Sequence, residues 1–260
     1  MTAPIAVQLY SLRAAAARDL PAVIERLGRI GFAGVELAGL HGMAPAGLRR
    51  RLADAGLEIA ASHVSAPIGD ARERVLDEQE ALGTKTLVVP FMPPDRFKTL
   101  DAIRAVADEV NEAFANARAR GMALGYHNHW WEFETRHGGV AAHELLMAQL
   151  DREIFAEIDT YWARVGGRDP AQVIAELGPR ARLLHLKDGP ADGPKSPMTA
   201  VGDGVLDFAA ITSASDSVHW HIVELDACAT DMFEAIEKSY RFLVGRGFSR
   251  GRRARATRAT

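Results

Sequence analysis

The strongest constraint on this chain is an order of elements repeated along its length: a short apolar strand, a turn, an amphipathic helix, then another strand. Apolar runs at 5–9, 33–37, 57–63, 84–90, 122–129, 154–159, 181–188 and 219–226 read as strands. Helical segments fill the intervals at 20–30, 45–55, 70–82, 95–120, 139–150, 170–177, 206–212 and 231–243. Pro45 suits a first helical turn, and Gly31, Gly56, Gly83 and Gly121 stand where helices should end before the next strand. Strands alternating with helices argue for a parallel sheet covered by helices on its faces. Eight such units within 260 residues fit a closed (β/α)8 TIM barrel better than an open sheet. The expected organisation is one barrel domain over 1–246. A basic, small-residue-rich tail follows at 247–260, without apolar period, and reads as disordered.

In such a barrel the loops at the C-terminal strand ends converge on one mouth, where the active site lies. Those ends here collect polar groups that a packed core does not need. In chain order they are Gln8, Glu36, His63, then His127, His129 and Glu132 within "LGYHNHWWEFE", Asp159, then His185 and Lys187, and last Glu224 and Asp226. Buried polar side chains cost several kcal/mol unless something satisfies them, so a shared function is the economical explanation. Mutual hydrogen bonding without function stays open as the alternative.

Asp159, His185 and Glu224 come from three successive strands and make a mixed oxygen and nitrogen set suited to a divalent ion. Mn2+ heads the candidates, with Mg2+, Co2+ and Zn2+ behind it. Glu132 is the nearest carboxylate to complete the set from the fifth strand. An open coordination position would polarise a substrate carbonyl and stabilise an enediolate. His127 suits proton abstraction next to that carbonyl; Lys187, sharing strand and parity with His185, suits proton transfer or an oxyanion. Glu224 counts both as ligand and as catalytic group. Glu36, His63, His129 and Trp162 are expected to touch substrate, with Trp130, Trp131, Phe91 and Tyr161 as further aromatic walls. His219 and His221 have the opposite parity to Glu224 and should face the helices, while His137 and His143 should lie at the surface.

A net charge of −3 gives no reason to expect nucleic acid or an anionic membrane as partner. No apolar stretch approaches the roughly 20 residues needed to span a bilayer, and the N-terminus lacks a signal-peptide pattern. The lone cysteine, Cys228, excludes an internal disulfide and fits a reducing, cytoplasmic setting. The expected partner is a small-molecule sugar or cyclitol, with a homo-oligomer left open.

The stretches "VQLYSLR", "GVEL", "SHV", "GYHNHWWEFE", "EIDTYWARVGGRDP", "LLHLKDG", "VGDGVLDF" and "HIVELD" run in order from Val7 to Asp226. Together they resemble the sugar phosphate isomerase/epimerase family, a xylose isomerase-like TIM barrel group related to inosose dehydratase and ketose 3-epimerases. The resemblance implies one divalent metal held by Glu, Asp, His and Glu from the later strands, and Asp159, His185 and Glu224 match three of these. The departure is at the first ligand. Ketose 3-epimerases carry a metal-binding and catalytic Glu inside strand 5, where "LGYHN" has Gly125. Glu132 is then the expected replacement ligand and His127 the replacement base. "HLKDG" with Lys187 looks more like the dehydratase and keto-sugar branches, and "VGDGVLDF" resembles a loop reaching over substrate, with Asp203 as its contact. The implied activity is isomerisation or epimerisation of a keto- or aldo-sugar through proton abstraction and an enediolate. A β-eliminating lyase or dehydratase acting on a keto-sugar, 3-keto-glycoside or inosose is the runner-up, ahead of a non-catalytic sugar-binding barrel. A DNA-repair nuclease would need several metals and a basic face, which the barrel sequence lacks.

Overall fold

Residues 2–252 are described in a computed structural model. Eight strands form the barrel: β1 (Ile5–Gln8), β2 (Gly34–Ala38), β3 (Glu58–His63), β4 (Thr86–Val89), β5 (Ala123–His127), β6 (Phe155–Asp159), β7 (Ala181–Leu186) and β8 (Trp220–Val223). Each hydrogen-bonds in parallel to its sequence neighbours, and β8 pairs with β1 to close the cylinder. The expected (β/α)8 architecture is therefore the one observed. A two-residue antiparallel ribbon, Arg136–His137 with Val140–Ala141, is the sole other sheet among the described residues.

The covering helices are α1 (Arg13–Ile30), α2 (Pro45–Asp54), α3 (Arg72–Leu82), α4 (Leu100–Ala119), α5 (Trp130–Glu134), α6 (Ala142–Gln149), α7 (Thr160–Val165), α8 (Pro170–Leu177), α9 (Phe208–Ser213) and α10 (Met232–Gly245). Helix α1 starts earlier than its periodicity suggests and bends at Asp19, two residues before Pro21; the Asp19 carboxylate then caps the second half by accepting from Ala22 N. Helix α4 starts later than expected, because Pro94–Phe97 form a separate 3-10 turn and Thr99 caps the helix proper. Gly31 and Gly83 close α1 and α3 in the left-handed region, at φ 109° and 74°.

Strand alternation splits the apolar residues into two cores. Outward side chains such as Val7, Val35, Leu124, Ile158, Leu184 and Val223 pack under the helices. Inward ones, Ala6, Ala60, Ala61, Val88, Phe155, Leu183 and Ile222, plug the cylinder. This plug is the floor beneath the mouth.

Two expectations about periphery are corrected. His143 is not at the surface: it is 3% exposed, its ring 4.5 Å from that of Phe133. The basic C-terminal segment is not a tail from 247 onward. Across the N-terminal face of the barrel, Ile5 N donates to Arg250 O, Arg250 N to Ala3 O and Arg252 N to Gly31 O. Ser249 Oγ pairs with Nδ1 of His221, which faces away from the barrel axis as its parity requires. The remainder of that expected tail, 253–260, lies outside the described residues.

Candidate active site

Register brings the polar strand ends together. Gln8 lies beside Glu36, His127 beside Glu157, and Asp159 beside His185. The side chains of Glu36, His127, Glu157, Asp159, His185, Lys187 and Glu224 are all at most 5% exposed. They form two linked groups. In the outer group, Lys187 Nζ lies 2.9 Å from Asp159 Oδ2, 2.7 Å from Glu224 Oε2 and 2.6 Å from Asp226 Oδ2. His185 Nδ1 is 2.7 Å from the same Glu224 oxygen. In the inner group, Glu36 Oε2 accepts from Gln8 Nε2 at 2.8 Å and lies 2.6 Å from His185 Nε2. Glu157 Oε2 faces His63 Nε2 at 2.7 Å and His127 Nδ1 at 3.0 Å.

Burial sets the charge states, and neighbours modify them. Glu36 is pushed up to about 7 by burial and by Glu157, and Asp159 to about 6 by burial. His127 is pushed down to about 3 by burial, so it is neutral. For Lys187 burial acts downward, but Asp159, Asp226 and Glu224 outweigh it and hold the ammonium well above the usual lysine range. For Glu224 burial acts upward, yet Lys187 and His185 keep it well below the usual carboxylate range. His185 is raised well above an ordinary histidine: its carboxylate neighbours Glu157, Glu224 and Glu36 overcome burial.

The geometry unites Asp159, His185 and Glu224, and His127 joins them: one ligand-type atom from each lies within 4.8 Å of all the others. A second such group, His63, His127, Glu157 and His185, shares two of these residues. Glu132 belongs to neither. Its carboxylate turns back on its own segment, accepting from Tyr126 OH at 2.8 Å and from His129 N at 2.7 Å, and so caps α5. The expected fourth ligand is thus a helix cap, because the chain leaves the strand at His127 and Glu132 falls on the first turn of a helix. Asp203 is also corrected. Its carboxylate pairs with Lys238 on α10 at the exposed rim, while Asp188, not Asp203, holds the loop.

Glu36 and His63 are inside the network, and His129 and Trp162 border it. His129 stacks on Trp131 at 4.4 Å, and the Trp162 ring lies 5.3 Å from Lys187 Nζ. Phe91, Trp130 and Tyr161 pack onto the same aromatic wall. Glu157 is the buried carboxylate of this cluster that sequence reasoning missed. Its signal was present: it stands two residues before Asp159 on one strand, so it shares parity with it and must also face inward.

No curated protein matches the chain. Among solved structures, a sugar phosphate isomerase/epimerase from Parabacteroides distasonis superimposes with TM-score 0.78 and 24% identity, covering 96% of each chain. A probable 3-DHS dehydratase from Bacillus anthracis gives 0.73 at 13% identity, over 93% of this chain and 98% of that one. An L-ribulose 3-epimerase gives 0.66 at 17% identity, over 95% and 94%. At these identities the likeness is one of fold. The family model described as xylose isomerase-like TIM barrel matches residues 24–237. With most of its length inside that match, the chain belongs to the xylose isomerase-like TIM barrel family.

Proposed function

We propose that this protein is a divalent-metal-dependent isomerase or epimerase of a small sugar or cyclitol. The observation that carries the reading is the convergence of His127, Asp159, His185 and Glu224 from four different strand ends. The donor set fits a cation. Asp159, Glu224 and the partly exposed Asp226 converge on Lys187, Glu36 and Glu157 face the histidines, and Glu36 Oε1 and Glu157 Oε1 are buried without a hydrogen-bond donor. Such a concentration of negative charge is costly unless positive charge or protons balance it. Asp159, His185 and Glu224 would hold the ion, with His127 in the role expected of Glu132. Two carboxylates and two imidazoles are compatible with Mn2+, Co2+ or Zn2+, with Mn2+ retained as first choice.

When bound, the ion supplies Lewis acidity to a substrate carbonyl. Glu224, held ionised by Lys187 and His185, takes the proton from the adjacent carbon at Oε2. Lys187, held charged by three carboxylates, offers a proton from Nζ to the neighbouring substrate oxygen. His127 turns Nδ1 to Glu157 and joins the ligand group, so abstraction is assigned to Glu224 in place of the histidine expected as base. Trp130, Trp131 and Trp162 exclude water along one side and present apolar faces to a sugar ring. The test is deuterium exchange at the substrate α-carbon in heavy water across a panel of keto- and aldo-sugars. Exchange should disappear after chelation and in Asp159→Ala; undiminished exchange in either refutes the scheme.

A β-eliminating outcome shares the first step and is favoured by one observation, the Lys187 ammonium beside the site, whose Nζ proton is placed to pass to a departing hydroxyl or alkoxide. An absorbing unsaturated ketone among the products would select it; an epimer or isomer would select the lead reading.

A further inference from the structure

Two imidazoles of the site present opposite nitrogens to opposite sides. His127 turns Nδ1 inward, 3.0 Å from Glu157 Oε2, and Nε2 outward, 3.8 Å from Asp159 Oδ2. His185 turns Nε2 inward, 2.6 Å from Glu36 Oε2, and Nδ1 outward, 2.7 Å from Glu224 Oε2. His63 adds a third inward nitrogen, Nε2, at 2.7 Å from Glu157 Oε2. An ionised carboxylate can only accept, so a ring nitrogen bonded to one must carry the hydrogen. A neutral imidazole has a single N–H, and its other nitrogen is then a bare lone pair. For His127 this puts the hydrogen on Nδ1 and aims the Nε2 lone pair at the outer group.

We propose that Glu157 is a positioning residue: it takes the Nδ1 hydrogen of His127, fixes the ring's orientation, and so leaves Nε2 free to serve as a donor atom at the mouth. The proposal rests on the metal-site reading given above. A carboxylate behind a ligating histidine fixes the tautomer and makes the ligand more basic, and its loss weakens metal binding about 10–100-fold.

The local packing explains why the carboxylate comes from β6. On β5 the inward position opposite Phe155 is Gly125, and a Cβ there would collide with the Phe155 ring. No side chain can enter the cylinder from β5 at that level. Two residues further along β6, Glu157 reaches the level of His127 by register and meets it side by side. His63 and His185, with rings stacked at 5.4 Å, close the remaining sides, so Glu157 has no freedom to swing away.

The test begins with nitrogen-15 side-chain spectra of the metal-free full chain at neutral pH, which report the protonated nitrogen of each histidine. His127 should carry its proton on Nδ1 in the wild type. In Glu157→Leu it should move to Nε2, and Mn2+ or Co2+ affinity, measured by chelator competition, should fall about 10–100-fold. Glu157→Gln, whose amide oxygen still accepts, should keep the Nδ1 tautomer and recover most of the affinity. A merely structural glutamate would not move the tautomer with the acceptor. An Nε2–H tautomer in the wild type overturns the proposal without any variant, as does a folded Glu157→Leu with unchanged tautomer and affinity. Two metal equivalents in the wild type falling to one in Glu157→Leu also overturns it, because Glu157 would then be a ligand itself. If the wild type binds no divalent ion, the metal reading fails while the tautomer measurement still decides the role of Glu157.

Discussion

Gly125 looks at first like a missing catalytic group, because a relative of different chemistry would carry a glutamate there. The side-chain space it leaves is filled by Phe155 from the neighbouring strand, so the residue is an accommodation within the plug. His143 shows the converse, a polar residue in a helix that the fold takes inside. Burial, with Arg168 and Arg180 nearby, pushes its imidazole down to about 3 from an ordinary 6.5. The unfolded chain therefore takes up a proton below pH 6.5 that the folded chain refuses until about pH 3. Stability from this residue is fully present above pH 6.5 and is lost as pH falls through that window. Between pH 7 and pH 5 the loss is about 2 kcal/mol. Urea titrations at the two pH values should show a drop smaller by that amount in His143→Leu; an identical drop would mean His143 is protonated in the native state.

Among the elements, the loop after β7 depends on one side chain. Asp188 Oδ1 accepts from Gly189 N and Leu206 N, and Oδ2 from Gly202 N and Gly204 N. Hydrogen bonds to a charged acceptor contribute roughly 1.5–3 kcal/mol each and overlap when they share a carboxylate. Asp188→Ala should cost about 3 kcal/mol, with faster amide exchange at 202–206; unchanged exchange there would show the loop is held by other contacts. The eight strands and their helices were legible in sequence because periodicity is local: an apolar run between turn residues has few other uses. The two short helices α5 and α7 were not, since each begins where an aromatic-rich segment could equally continue the strand. That ambiguity carried into the site. Asp159, His185 and Glu224 could be read from strand ends and parity alone. Whether Glu132 met a metal or capped a helix depended on where β5 stops, and Glu157 was overlooked beside the more conspicuous Asp159.

At the level of the whole molecule, a ring of sequential neighbours becomes a closed cylinder only if its first and last strands meet, and the C-terminal segment reinforces that seam. Residues 249–252 bond to Ala3, Ile5 and Gly31, while Ser249 meets His221 on β8. A chain ending at 246 should be less stable than one ending at 252 by about 3 kcal/mol, from three backbone hydrogen bonds of roughly 1 kcal/mol each and lost apolar cover. Matching denaturation midpoints for the two would show that the seam needs no such support. No helix among the described residues is long and apolar enough to cross a membrane.

Because Thr2 and Arg252 both lie on the face away from the C-terminal strand ends, either can serve as a tether. A molecule anchored to a bead or an electrode through that end would keep the mouth of its barrel turned toward the medium.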